Sequence, residues 1–106
     1  MSKIVYNKLV RDKIPEIIDG AGKIAKISKL SGVEFEKALN QKLLEECKEY
    51  IESGDLEEIA DILEVLYALM NLKGVSKSSV EKMRIDKAKA RGAFDERIFL
   101  KYVENK

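Results

Sequence analysis

No histidine occurs among the 106 residues, cysteine and proline occur once each, and tryptophan is missing. Without histidine there is no His-ligated zinc, no ferritin-like di-iron site with Glu-x-x-His pairs, no Ser-His-Asp triad and no Cys-His dyad. The lone Cys47 excludes an intramolecular disulfide and a cysteine metal cluster. A single proline and 45% apolar residues argue against long disorder. No apolar run reaches membrane-spanning length, and the opening MSKIVYNKLV lacks a signal-peptide core, so the expected location is the cytoplasm, with no membrane partner. An excess of either charge is lacking too. Twenty basic and 19 acidic residues leave a net charge of +1, and the basic residues form no single stripe, which argues against nucleic acid as a partner.

What is abundant is charge of both signs, 37% of the chain, on a length that suits one domain over residues 1–106. The expected architecture is mainly α: an antiparallel core of two long helices with a third, plus short peripheral strands near residues 23–30 and 97–103. Residues 1–10 are β-tolerant and unpatterned. Asp12 could cap a short helix with Pro15 early in it, ended by Gly20 and Gly22. KIAKISKL at 23–30 alternates Lys with Ile or Ala, as a half-exposed strand does. Ser31 and Glu34 fit a capping box for a helix from Gly32 to about Glu52. Gly54 ends that helix, and Asp55 caps the next, from Leu56 to Leu72. So short a link predicts antiparallel neighbours. Ser76 or Ser78 caps a third helix reaching about Ala90, stopped by Gly92. RIFLKYV at 97–103 is aromatic and branched enough for a strand.

Spacing at about 100° per residue turns the acidic middle into chemistry. In the first long helix Phe35, Ala38, Leu39, Leu43, Cys47 and Tyr50 mark the inward stripe; Glu46 falls inside it and Glu49 at its edge. The second long helix is apolar around most of its circumference. There Glu58 lies between Val65 and Leu69, and Asp61 beside Leu72. Each helix thus places an i, i+3 acidic pair where apolar residues belong. A single E-x-x-E is common on solvated faces; two facing pairs inside apolar arcs are not. Buried carboxylates need basic partners or a cation, and the only base near either arc is Lys42, one turn before Glu46. All-oxygen ligands suit Mg²⁺ or Mn²⁺ in place of zinc or copper.

Basic residues supply the other half of a phosphate site. YNKLVRDK places Asn7, Lys8, Arg11 and Lys13 within seven residues, and Lys87 and Arg91 stand i, i+4 just before Gly92. Such side chains clamp phosphate oxygens, although on spacing alone a solvated helix face explains Lys87 and Arg91 as well. Phe94 reads as a core anchor.

LLEECKEY (Leu43–Tyr50) followed by EEIADILEVLYAL (Glu57–Leu69) resembles the EExxE…ExxD signature of the MazG-like all-α nucleoside triphosphate pyrophosphohydrolases. VYNKLVRDKIPEII (Val5–Ile18) and KAKARGAFDERIFL (Lys87–Leu100) resemble a short house-cleaning, phosphoribosyl-ATP pyrophosphohydrolase-like branch of it. The three blocks reach from Val5 to Leu100. The resemblance implies Mg²⁺-dependent cleavage of a nucleotide between its α and β phosphates, giving a monophosphate and pyrophosphate. It matches Glu46, Glu49, Glu58 and Asp61 to metal positions, Glu45 to an outer-shell or second-metal position, and Lys87 and Arg91 to phosphate holders. Only eight residues separate Glu49 from Glu58, fewer than in larger members, and 106 residues leave no room for a second repeat.

With no histidine present, Glu49 or Glu45 has to serve as general base, and Arg11 or Lys13 joins Lys87 and Arg91 on the departing pyrophosphate. The surplus apolar face of the second long helix predicts a homo-oligomer, dimer or tetramer. The competing reading is a non-catalytic helical oligomerisation or regulatory module whose acids are structural.

Overall fold

The computed structural model describes residues 2–106 and contains four helices: α1 (Ile14–Gly20), α2 (Gly32–Ser53), α3 (Leu56–Leu72) and α4 (Lys77–Arg91). Mainly α is therefore the architecture. The long helices start and stop at the expected places for local reasons. Gly54 takes the left-handed conformation, φ +70°, which lets its N–H return to the Tyr50 carbonyl at 2.7 Å and closes α2. The Asp55 N–H then donates to Ser53 Oγ, and α3 begins one residue later. Ser76 Oγ accepts from the Ser79 N–H at 3.1 Å and caps α4. Ser31 is the N-cap of α2, but its hydroxyl makes no cap bond, so the capping box is present in sequence and unused in structure. Asp12 caps nothing; Lys13 precedes α1, whose early Pro15 suits a first turn.

Two expectations are corrected. Among the described residues there is no strand, neither at 23–30 nor at 97–103. A strand needs a neighbour to complete its ladder, and Ile24 and Ile27 have no such edge and remain exposed. In the tail Arg97 adopts φ +56° and donates its N–H to the Phe94 carbonyl, a turn that breaks the extended run at its first residue. Phe94 itself is exposed and anchors no core.

The chain divides into two compact units, one ending at Gly74 and one spanning Val75–Lys106. In the first, the two-residue link returns the chain so that α2 and α3 pack along each other. Leu39 of α2 (2% exposed) and Val65 of α3 (8%) form its buried centre. The second unit holds α4 and the tail, and none of its residues is buried. Among the described residues no helix is long and apolar enough to cross a membrane.

Candidate functional site

The third buried residue among those described is an acid. Glu46 lies one and a half to two turns beyond Leu39 on the same face of α2 and is only 6% exposed. Opposite it, one turn apart on α3, stand Glu58 and Asp61, both half-buried. One carboxylate oxygen from each of Glu46, Glu58 and Asp61 lies within 4.8 Å of the others. These are three of the four acids that helical spacing singled out.

Glu46 Oε1 sits 3.2 Å from Lys42 Nζ, which also approaches Glu45 Oε2 at 3.8 Å. Glu46 Oε2 and Glu58 Oε2, by contrast, are buried and have no hydrogen-bond partner among the described residues. Leaving a buried polar atom unpaired costs about 1–3 kcal/mol, and more when it carries charge. The crowding of charge also bears on the protonation of these acids. Burial, and then the charges of Glu49, Asp61 and Glu46, raise the Glu58 carboxyl above its ordinary range. Glu49 is raised as well, first by the charge of Glu46, then by burial; once protonated it can donate to Glu46. Glu49 therefore belongs to the site electrically without supplying one of its three converging oxygens.

Two of the exposed N-terminal bases are paired with acids of the hairpin. Arg11 Nη2 binds Asp61 Oδ1 at 2.6 Å, and Lys8 Nζ binds Glu45 Oε1 at 3.2 Å. Between this segment and the two helices runs a cleft of roughly 440 Å³. Arg11, Lys13 and Lys42 stand on its walls with Glu46 and Asp61, and Phe35 and Val65 make it partly apolar. Lys87 and Arg91 stand on α4 in the second unit, where both are exposed. Arg91 opens a separate hollow of roughly 480 Å³ that closes at Ile98.

Spacing alone could reveal Lys42, since it precedes Glu46 by one turn. Nothing local could reveal that Arg11 meets Asp61 across fifty residues. Glu64 also lines the cleft. No family model matches the chain, and no curated protein or solved structure does so either. The site therefore stands on its own geometry: three convergent carboxylates, two of them with an unpaired buried oxygen, beside three bases.

Proposed function

We propose that the chain is a Mg²⁺-dependent nucleotide pyrophosphohydrolase, with Mn²⁺ as a substitute ion, that splits a nucleoside triphosphate or related nucleotide between its α and β phosphates. The observation that carries this reading is the pair of buried, unpartnered oxygens, Glu46 Oε2 and Glu58 Oε2, beside Asp61. The donor set fits a hard cation, being all oxygen, convergent and left with charge its own lysines and arginines do not neutralise. The choice of the α–β bond and of the MazG-like family rests on the signature LLEECKEY…EEIADILEVLYAL.

In this reading Glu46, Glu58 and Asp61 hold the ion. Bound there, it would screen phosphate oxygens and lower the pKa of a nearby water. Glu49, which lies beside Glu46 and supplies none of the three converging oxygens, would take the proton of such a water. Glu45, tied to Lys8 and Lys42, instead holds those ammonium groups in place. Lys8, Arg11 and Lys13 serve the phosphates as donors, and the resemblance gives Lys87 and Arg91 a phosphate-holding role as well. Cys47 is a free thiol with no part in the chemistry, and an unpaired thiol suits the reducing cytoplasm.

The reading includes a homo-oligomer, dimer or tetramer. Leu56, Ile59, Leu63, Leu66 and Met70 recur at alternating steps of three and four along α3, and the first three are exposed. Leu63 lies about 160° around the helix from Val65, so the seam faces away from the buried centre. A heptad seam of this kind is covered by another helix. Sedimentation equilibrium should give a multiple of 12.0 kDa.

Phosphorus NMR of products formed in ¹⁸O-labelled water tests the reaction. Label belongs in the monophosphate; label in free orthophosphate would overturn the assigned bond. The alternative, a non-catalytic module with structural acids, draws on the pairs Lys8–Glu45, Arg11–Asp61 and Lys42–Glu46. It predicts no rise in melting temperature with millimolar Mg²⁺, whereas the enzyme reading predicts one.

A further inference from the structure

The segment preceding α1 is fastened to the hairpin by side chains. Residues 2–10 have no helix or strand, and of residues 2–13 only Leu9 is half-buried. The polar fastenings are Lys8 on Glu45 and Arg11 on Asp61, and residues 9–13 form one wall of the acidic cleft. Asp61 is thus asked for twice. It is one of the three carboxylates that converge within 4.8 Å, and it is the anchor of Arg11.

We propose, on the reading that Glu46, Glu58 and Asp61 bind a divalent cation, that residues 8–11 form a strap and that the cation unfastens it by displacing Arg11 from Asp61. A guanidinium and a divalent ion on one carboxylate are like charges a few ångströms apart, so each weakens the other's hold on it. The contest is uneven. Arg11 holds Asp61 in an exposed pair, with side chains 56% and 36% accessible, and such pairs contribute little. The ion carries twice the charge and gathers three carboxylates. Released, Arg11 hangs at the mouth of the cleft, free for an anion that arrives after the metal. Metal uptake and phosphate binding become ordered events, and the cationic partner for the substrate's phosphates appears only once the ion is in place.

Trypsin reads the strap directly on the full-length protein. Cleavage after Lys8 and Arg11 should quicken about two- to fivefold on adding Mg²⁺ or Mn²⁺, the factor corresponding to loss of an exposed ion pair. Cleavage after Lys26 and Lys29, exposed in the connection between α1 and α2, should not change and serves as the internal control. Arg11→Gln should make cleavage after Lys8 indifferent to metal and should tighten Mn²⁺ binding, followed by electron paramagnetic resonance, by a similar factor. Asp61→Asn should show the fast cleavage without metal. Binding of Mn²⁺ with unchanged cleavage at Arg11, or an equal rise at Lys26, would overturn the strap while leaving the metal site standing. Absence of Mn²⁺ binding to the wild-type protein would overturn both.

Discussion

The two compact units carry charge in different ways. In the first, beside the local pairs of Lys42 with Glu45 and Glu46, ion pairs join residues far apart in the chain: Lys8 with Glu45, Arg11 with Asp61, and Lys73 with Glu36. In the second, Lys82 pairs with Asp86 and Arg84 with Glu81, one helical turn away. All three buried residues of the described chain lie in the first unit and none in the second. Local pairs stabilise a helix but cannot place one element against another. Only the long-range pairs carry information about tertiary structure, and they occur in the unit where Glu46 is taken out of water. A convergent, partly buried acidic cluster therefore arises in the α2–α3 hairpin, while Lys87 and Arg91 stand exposed on α4.

The comparison is broken most severely at Glu46. Glu46→Gln keeps the volume and removes the charge, and pyrophosphate release in the presence of Mg²⁺ should fall by more than a hundredfold, since outer-shell partners of a metal alone are worth about 10–100-fold. Arg91→Gln in the second unit should raise KM and leave the Mg²⁺-dependent shift in melting temperature untouched. If both variants lose that shift, the division of labour between the units is wrong.

Packing should divide the units next. Leu39→Ala removes the most buried side chain of the hairpin and should cost about 2–5 kcal/mol in urea denaturation. Ile85→Ala on α4, already 38% exposed, should cost less than about 1 kcal/mol.

Acid separates the units by sign. Glu58 and Glu49 have carboxyls raised in the folded protein, so it is the protonated forms that fit the fold. Their contribution is complete below the unfolded value of 4.5 and is lost as pH rises through their folded values. Lowering the pH from neutral toward 4.5 should therefore stabilise the metal-free hairpin through these two groups, and Glu58→Gln should remove that part of the gain. Glu81 runs the other way: its bond to Arg84 lowers its carboxyl, and its contribution is lost only as pH falls below 4.5 through the folded value. Melting temperatures of wild type and Glu58→Gln across this range, without metal, check both signs.

The smallest effect belongs to the local pairs. Lys82→Ala breaks an exposed i, i+4 contact with Asp86 and should change stability by no more than about 0.5 kcal/mol.

Helix limits were legible to within a residue because glycine and serine set them locally. Gly54 and Gly92 end helices by adopting conformations that side chains resist, and Ser76 caps α4 with its own hydroxyl. The burial of Glu46 was legible from its place among Phe35, Leu39 and Leu43 on the wheel. The strands were misread because alternation at 23–30 and branching at 97–103 report only that a segment tolerates a sheet. Whether an edge exists to pair with it is a non-local fact. The ion pairs of the N-terminal segment were not legible, because no periodicity links Arg11 or Lys8 to acids on α2 and α3.

By itself the sequence determined that this protein is helical, where its long helices begin and end, and that two i, i+3 acidic pairs share faces with apolar residues. Each of these follows from interactions that span a few turns at most. Tertiary structure alone decided which carboxylates converge, that Glu46 Oε2 and Glu58 Oε2 have no partner while Asp61 is claimed by Arg11, and that a cleft lies under residues 9–13. Charges interact through space with a strength set by distance and burial, and neither quantity is written in the order of the residues.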